Sequence, residues 1–225
     1  MCRLRFLLVG FALLLFIIAG RAEEKSPLRL IPQEANLVIR IEKPRQLVEG
    51  VLQLEAVQQA RQLPFVREQM ESPLFQRFLQ LVGYYETDLG RPWPELLDKL
   101  AGGGITVATR VPEENAPALL VVQGTDEELA RKFVKLVLSV IEQEQVRTES
   151  KERMETIRYQ GVEVHKNGNE FFLTRIGSTM LLANREVAMK RALDLNVEGE
   201  AKSLAHAKGP KEARELLPKD CLSWA

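Results

Sequence analysis

Residues 155–183, ETIRYQGVEVHKNGNEFFLTRIGSTMLLA, decide the fold class of this 225-residue chain. The stretch holds four apolar segments that are separated by short turn sequences at Gln160-Gly161, Asn167-Gly168 and Ile176-Gly177-Ser178. Asn-Gly between alternating apolar segments is a strong hairpin signal, because both residues tolerate the positive φ of a type I′ turn. The stretch therefore predicts an antiparallel meander of four strands, with a type I′ turn at Asn167-Gly168.

Upstream of the meander, further segments have the composition of strands. NLVIRI, residues 36–41, is rich in β-branched and apolar residues and lies between prolines, so we expect it to be the first strand of the domain. GGGITVATR alternates apolar and polar residues, and ALLVVQ, residues 118–123, is apolar on both faces, as in a central strand. The polar, proline-bounded sequence VPEENAP between these two segments predicts a hairpin loop.

The segment that connects the first two predicted strands has the apolar spacing of helices. From Pro44 to Leu100 the pattern is helical, and prolines that open new helical pieces predict a series of short helices. Within this region, Ser72 followed by Pro73 predicts a helix start, and Gly83 predicts a helix end.

Three later segments are also predicted to be helical. Thr125 and Glu128 form a capping box that is followed by an apolar stripe, which predicts a long helix. Asn184 is expected to cap a shorter helix after the meander. A last helix is predicted over residues 203–217, with an interruption at Gly209-Pro210.

The order of these elements indicates the fold class. Most neighbouring strands are joined by loops that are too short for a parallel crossover, which favours antiparallel pairing. We therefore expect an α+β domain with a mainly antiparallel sheet, built from the meander and a hairpin and covered on one side by helices. We expect this single domain to span residues 35–215, after a linker at residues 23–34.

The first 22 residues have the layout of a secretory signal peptide. A basic start precedes an unbroken apolar run over residues 6–20, and small residues follow at Gly20 and Ala22. A membrane-spanning helix needs about 20 apolar residues, and this run is shorter, so we expect cleavage after Ala22. An uncleaved membrane anchor is the alternative. The protein is therefore expected to be exported, to the periplasm, the cell envelope or the extracellular space.

Charge and cysteine content exclude some classes of function. The chain has 31 basic and 31 acidic residues and no clustered basic segment, which argues against nucleic acid as a partner. Beyond the signal segment only Cys221 remains, so an internal disulfide cannot hold the domain together. The stability of the domain must then come from the packing of its core.

The sequence predicts no catalytic, cofactor-binding or metal-binding motif. AGGGIT, residues 101–106, lacks the Lys and the Ser or Thr of a phosphate loop, and it precedes a strand rather than a helix. His165 has only Glu163 beside it on its strand face, whereas zinc needs three or four ligands. Ser178 lies in a turn without the glycine spacing of a nucleophile elbow. We therefore expect no cofactor, and the sequence favours a protein that is not an enzyme.

Aromatic residues in GYYETDLGRPWPELL, residues 83–97, are the candidate binding surface. Tyr84, Tyr85 and Trp93 lie near Gly and Pro turns, and each combines a large apolar body with a polar tip. Packing at the edge of the core is the alternative interpretation of these residues. We expect any partner to be a protein or another envelope component.

The last ten residues repeat the pattern that opens the domain. LLPKDC, residues 216–221, aligns with LIPQEA, residues 30–35, as Leu, aliphatic, Pro, polar, acidic and small. In each segment the proline keeps its predecessor extended, and an acidic turn residue leads into an apolar strand. We therefore expect residues 216–225 to begin a second, similar unit of a longer protein. Its first strand should pair at the sheet edge or fray.

Several of these segments together resemble an uncharacterised family of exported bacterial proteins, of the domain of unknown function 3352 type. The resemblance covers most of residues 27–225 and is carried by residues 30–41 and by the sequences GGGITVATR, PALLVVQGTDEELARKFVKLV, YQGVEVHK and SLAHAKGPKEARELLPKDCLSWA. Its motifs are apolar patterns and turns. The resemblance therefore implies an exported protein with recurring Pro-acid strand elements, and it implies no active-site residues.

Two functions remain open from the sequence. The first is an exported cell-envelope protein that acts as a non-catalytic binding or structural module. The alternative is a secreted hydrolase whose catalytic residues lie partly in sequence beyond Ala225.

Overall fold

The computed structural model describes residues 26–112, 115–199, 202–218 and 220–225. The predicted signal segment, residues 1–22, lies outside this range, as does the start of the predicted linker. The described residues therefore report on the domain and not on the signal segment.

The strands of the described residues form one eight-stranded sheet in which every pairing is antiparallel. They are β1 (Leu37–Ile41), β2 (Gly104–Thr109), β3 (Leu119–Gln123), β4 (Met154–Tyr159), β5 (Val162–Asn167), β6 (Phe171–Ile176), β7 (Thr179–Ala183) and β8 (Ser223–Trp224). Their order across the sheet is β4-β5-β6-β7-β3-β2-β1-β8. The predicted meander is confirmed as β4 to β7, and the predicted upstream strands are confirmed as β1, β2 and β3.

A type I′ turn occurs in the meander, although at a different place from the predicted one. Between β4 and β5, Gln160 and Gly161 both have positive φ, of 50° and 76°, as this turn type requires. Asn167 instead remains in β5, where it pairs with Phe171 of β6, and a longer loop joins the two strands. The prediction of a type I′ turn at Asn167 is wrong, because cross-strand pairing keeps this residue extended.

The helices of the described residues lie before β1, between the strands and after the meander. A 3-10 helix spans Pro27–Leu30, and the α-helices are α1 (Pro44–Gln53), α2 (Glu55–Ala60), α3 (Pro64–Glu71), α4 (Pro73–Leu89), α5 (Trp93–Ala101), α6 (Glu127–Arg147), α7 (Glu186–Glu198) and α8 (Lys208–Leu216). The predicted series of short helices is confirmed as α1 to α5. None of these helices is long and apolar enough to cross a membrane.

Helices cover both faces of the sheet, so the expected one-sided cover is wrong. On one face, Val121 of β3 and Leu181 of β7 pack with α7 and the 3-10 helix. On the other face, Val122 and Met180 pack with α4, α5 and α6. Because β3 and β7 are apolar on both faces, each face needs its own cover. The α+β class and the mainly antiparallel sheet are confirmed.

Helix α4 starts where the sequence predicts and ends later. Ser72 Oγ accepts the N–H of Phe75 at 3.3 Å, which confirms the predicted start. The helix continues through Gly83 and ends at Gly90, whose φ of 68° is typical of a glycine C-cap. The predicted end at Gly83 is wrong, because Leu89 continues the apolar stripe and is buried in the core.

Helix α6 is capped by Asp126 and not by Thr125. Asp126 Oδ1 accepts the N–H of Leu129 at 3.0 Å. Thr125 Oγ1 instead lies 3.3 and 3.4 Å from the carbonyl oxygens of Asp98 and Lys99. The predicted capping box at Thr125 is therefore wrong, because contacts with α5 engage the threonine hydroxyl.

Two predictions for the helices after the meander are also wrong. The N-cap of α7 is Arg185, one residue later than the predicted Asn184. Helix α8 begins at Lys208 and not at Ser203, which forms a β-bridge to Pro32. Gly209-Pro210 lies in the first turn of α8, where a proline removes no helical hydrogen bond, so it does not interrupt the helix.

The two Pro-acid segments form the same local turn. The N–H of Ala35 donates to the carbonyl of Pro32 at 3.1 Å, and the N–H of Cys221 donates to the carbonyl of Pro218 at 3.1 Å. A strand begins the same distance after each proline, and β8 pairs with β1 at the edge of the sheet. The predicted pairing of the final strand at the sheet edge is confirmed. That residues 216–225 begin a second unit stays a prediction.

Candidate functional site

Two residues of the predicted aromatic surface lie side by side on α4. The ring centroids of Tyr84 and Tyr85 are 6.1 Å apart. Tyr85 is half-buried, and its ring centroid lies 5.4 Å from that of Phe133 on α6. Tyr84 is 42% exposed. Burial raises the pKa of the Tyr85 phenol, and the neighbouring Tyr84 raises it further. Tyr85 therefore belongs to the edge of the core, whereas Tyr84 remains on the surface.

Trp93, the third residue of this surface, begins α5. Its backbone N–H donates to Glu86 Oε1 at 2.6 Å, so a side chain from α4 caps the start of α5. Glu86 follows Tyr85 directly in the chain. This hydrogen bond links the backbone of Trp93 to the part of α4 that carries both tyrosines. The role of these residues in binding a partner stays a prediction.

The polar residues whose sequence patterns match no catalytic or metal-binding motif lie in local contacts. His165 Nδ1 on β5 is 3.0 Å from Thr156 Oγ1 on β4. Glu163 forms an ion pair of 3.1 Å with Arg158, also across β4 and β5. Ser178 lies in the turn between β6 and β7. In the part of the chain that the structure describes, no group of three or more His, Cys, Asp or Glu side chains could hold a metal ion.

A cleft of about 160 Å³ lies at the end of the sheet where β2 ends and β3 begins. We call it the sheet-end cleft. The segment before β1, the ends of β2 and β3, and the first turns of α7 all contribute to it. Its lining includes Glu34, Ala108, Arg110, Leu119, Ala188 and Arg191.

The floor of the sheet-end cleft is apolar and is built from small side chains. Ala108 of β2, Leu119 of β3 and Ala188 of α7 are at most 7% exposed. All three belong to the core that packs between the sheet and α7. The two alanines leave space that a longer side chain would fill. The cleft therefore depends on methyl-sized side chains at both positions.

Two asparagines hold the walls of the sheet-end cleft. Asn36 Nδ2 donates to the carbonyl of Val111 at 2.6 Å, and Asn36 Oδ1 accepts the N–H of the same residue at 2.8 Å. Asn184 Oδ1 accepts the N–H of Ala118 at 2.7 Å, and Asn184 Nδ2 donates to the carbonyl of Ala116 at 3.0 Å. These bonds attach both ends of the β2–β3 loop to neighbouring parts of the sheet.

The rim of the cleft carries charges of both signs. Among the described residues, neither the Arg191 guanidinium nor the Glu34 carboxylate has a hydrogen bond or ion-pair partner. By contrast, Lys190 Nζ on the same helix lies 2.6 Å from Glu186 Oε1. This pair raises the pKa of Lys190 and lowers that of Glu186. Arg110 Nε donates to the backbone carbonyl of Glu34 at 3.3 Å.

The groups of this arrangement are suited to contacts with charged and apolar parts of a ligand. A guanidinium donates parallel hydrogen bonds to a carboxylate or phosphate, and a carboxylate accepts hydrogen bonds from an ammonium group. An apolar floor below such a rim accommodates the hydrocarbon part of a ligand. The sheet-end cleft can therefore bind a small molecule that is both charged and partly apolar.

Sequence reasoning missed the sheet-end cleft. The sequence pattern identifies Glu34 only as an acidic turn residue, and Arg191 lies in no motif. The contributing segments are far apart in the chain, so no local spacing brings them together. The one available signal is Asn184, whose position predicts a helix cap and whose side chain instead holds a cleft wall.

A second polar cluster lies almost buried where β8 meets β1. Arg40 donates at 2.9 Å to each of three groups, the Glu42 carboxylate, the Thr106 hydroxyl and the Gly103 carbonyl. Trp224 Nε1 donates to Glu42 Oε1 at 3.0 Å. The Arg40 guanidinium is thus satisfied within the protein. We interpret this cluster as the attachment of β8 and not as a ligand site.

The fold and the site together define the class of protein. It is an α+β protein with an antiparallel eight-stranded sheet, helices on both faces in the described residues, and a small charged cleft at one end of the sheet. The chain belongs to the family described as Protein of unknown function (DUF3352), which matches residues 5–222. This match confirms the family resemblance found in the sequence. No curated protein and no solved structure matches the chain.

Proposed function

We propose that the protein is an exported, non-catalytic binding module of the cell envelope whose ligand binds in the sheet-end cleft. The observation that carries this proposal is the presence of Arg191 and Glu34, without partners among the described residues, beside an apolar floor. Because no described residue forms an ion pair with either charge, a ligand can engage them without displacing an ion pair among these residues. The removal of the ligand's apolar part from water also makes the free energy of binding more favourable.

Export is supported by the basic start, apolar run and small residues of the first 22 positions. We expect the protein to be recovered from the exported fraction of cells, with N-terminal sequencing that begins at Glu23. A start at Met1 in a membrane fraction would identify the uncleaved anchor instead. Recovery from the cytoplasm alone would contradict export.

Binding in the cleft can be tested with a variant that blocks it. Val187 lines the cleft and is 46% exposed, so Val187→Trp adds a large side chain there without disturbing the core. Val197 is 57% exposed on the same helix and is not part of the lining, so Val197→Trp is the matched control. The experiment is a methyl NMR titration with a library of anionic, cationic, zwitterionic and neutral small molecules.

We expect some compounds of the library to shift the methyl signals of Ala108, Leu119 and Ala188. These shifts should persist in Val197→Trp and disappear in Val187→Trp. If no compound shifts the signals of the native protein, or if Val187→Trp leaves the shifts unchanged, the cleft is not the binding site.

A protein-docking surface at Tyr84 is the second candidate function. Tyr84 is exposed, while its neighbour Tyr85 is anchored against Phe133, so the exposed ring lies on a rigid support. Aromatic side chains of this kind are common at protein interfaces. The double substitution of Tyr84 and Trp93 by Ala, with Tyr85 retained, should remove a partner captured specifically by the native protein. Survival of that partner on the variant would exclude this surface.

A further inference from the structure

We infer that the ligand of the sheet-end cleft is a small zwitterion of amino-acid size, with an ammonium group, a carboxylate and an apolar side chain. This inference rests on the proposed function, because it names the ligand class of the same cleft. Three properties of the cleft support it: the volume, the signs of the rim charges and the chemistry of the floor.

The volume of the cleft limits the size of the ligand. The cleft measures about 160 Å³. Sites for drug-sized ligands are typically ~300–1,000 Å³, so this cleft is about half the size of the smallest of them. A ligand that the cleft encloses is therefore comparable to a single amino acid and much smaller than a nucleotide.

The rim charges select the polar groups of the ligand. The Arg191 guanidinium can donate two parallel hydrogen bonds to a carboxylate. The Glu34 carboxylate, which comes from a different segment, can accept hydrogen bonds from an ammonium group. A simple anion would be attracted by Arg191 and repelled by Glu34. A simple cation would be attracted by Glu34 and repelled by Arg191. A zwitterion can form a favourable charge contact with both residues.

The floor of the cleft selects an apolar body. Ala108, Leu119 and Ala188 are buried in the core and present hydrocarbon to the cleft. Polar ligand groups would lose their water contacts there without gaining a hydrogen bond from these side chains. An aliphatic side chain such as that of leucine or valine fits this surface. L-leucine therefore matches all three properties and is the probe that we choose.

The test is a methyl NMR titration of the purified protein with L-leucine and with two analogues that each lack one charge. N-acetyl-L-leucine lacks the ammonium group, and L-leucinamide lacks the carboxylate. We expect L-leucine to shift the methyl signals of Ala108, Leu119 and Ala188. Each analogue should bind about tenfold or more weakly, because it loses one charge-assisted hydrogen-bonded contact.

Two variants assign the contacts to their residues. In Glu34→Gln, the preference for L-leucine over N-acetyl-L-leucine should fall to about twofold or less. In Arg191→Gln, the preference for L-leucine over L-leucinamide should fall in the same way. Glu163→Gln and Arg158→Gln make the same changes of charge at an exposed ion pair on β4 and β5, and both should retain the native preferences.

The outcomes separate this inference from the proposed function. Shifts of the cleft methyl signals by anions, cations or neutral molecules, but not by amino acids, would overturn the zwitterion and leave the cleft a binding site. Unchanged preferences in both Glu34→Gln and Arg191→Gln would also overturn it. If no compound of any class shifts these signals, the inference and the proposed function both fail.

Discussion

Asn36 and Val111 are joined by two hydrogen bonds, one in each direction between the asparagine side chain and the Val111 backbone. The two residues are 75 positions apart in the chain. Their contact attaches the segment before β1 to the residues that follow β2. Glu34 lies in the first of these segments and Arg110 in the second, so this contact sets the shape of one side of the sheet-end cleft.

Replacement of Asn36 by Ala should destabilise the protein by about 1–2 kcal/mol, because each of the two lost hydrogen bonds contributes roughly 0.5–1.5 kcal/mol. Urea unfolding measures this loss. Asn169 is exposed in the β5–β6 loop and has no side-chain hydrogen bond to other described residues, so Asn169→Ala is the matched control. Equal losses in the two variants would show that the Asn36 contact contributes nothing.

Replacement of Asp126 by Ala should cost about 1 kcal/mol of stability, since the variant loses the side-chain cap of α6. Glu128→Gln tests the capping box that the sequence predicts, and it should change stability by less than ~0.5 kcal/mol. Thermal unfolding of both variants gives the comparison. A larger effect at Glu128 than at Asp126 would favour the cap predicted from the sequence.

The tyrosines on α4 should differ in their contributions to stability. Tyr85→Ala should destabilise the protein by about 2 kcal/mol, because it removes a half-buried ring that packs against Phe133. Tyr84→Ala should cost less than about 1 kcal/mol, because the Tyr84 side chain is more exposed than that of Tyr85, at 42%, and lies on the surface. Denaturant unfolding distinguishes the two. A large loss in Tyr84→Ala would mean that the ring supports the fold and would weaken its assignment to a docking surface.

Tyr85→Phe should reduce the loss of stability at alkaline pH. Because burial raises the pKa of Tyr85, the folded protein holds the phenolic proton more tightly than the unfolded chain does. The resulting contribution to stability is fully present below the unfolded pKa of about 10, and it is lost as the pH rises through the higher folded pKa. The free energy of unfolding, measured below about pH 10 and at higher pH, should therefore fall less steeply with pH in Tyr85→Phe than in the native protein. Identical slopes in the variant and the native protein would contradict the burial of this phenol.

Replacement of Glu42 by Ala should destabilise the protein by about 3 kcal/mol, because it leaves the Arg40 guanidinium without its carboxylate in a nearly buried site. The same change removes the acceptor of Trp224 Nε1 and should release β8. In a Trp93→Phe background Trp224 is the remaining tryptophan, so its fluorescence should shift to the red.

The control for the Glu42 substitution is a carboxylate in an exposed ion pair. Glu49 pairs with Arg45 at 2.7 Å, and both side chains are about two-fifths exposed. Glu49→Ala should therefore cost less than ~1 kcal/mol and leave the Trp224 emission unchanged. A similar cost at Glu42 and Glu49 would show that the cluster around Arg40 does not hold β8.

Local patterns in the sequence were reliable where the structural cause is itself local. The alternation of apolar residues over residues 155–183 predicted four strands, because a pleated strand exposes its two faces in turn. Ser72 predicted the start of α4, since an N-cap hydrogen bond spans only three residues. Gly83 and Thr125 misled the prediction. In each case a contact with another element, the core at Leu89 or the carbonyl groups of α5, outweighed the local preference.

The sequence by itself determined the strands, most of the helices, the antiparallel connectivity and the family of this protein. It also indicated that β3 is central, because ALLVVQ is apolar on both faces. Only the tertiary structure decided that helices cover both faces of the sheet and that Glu34, Ala108 and Arg191 line one cleft. The physical reason is the range of the interactions. Periodicity, turns and caps act over a few residues, whereas the cleft is formed by side chains that packing and long-range hydrogen bonds bring together from distant parts of the chain.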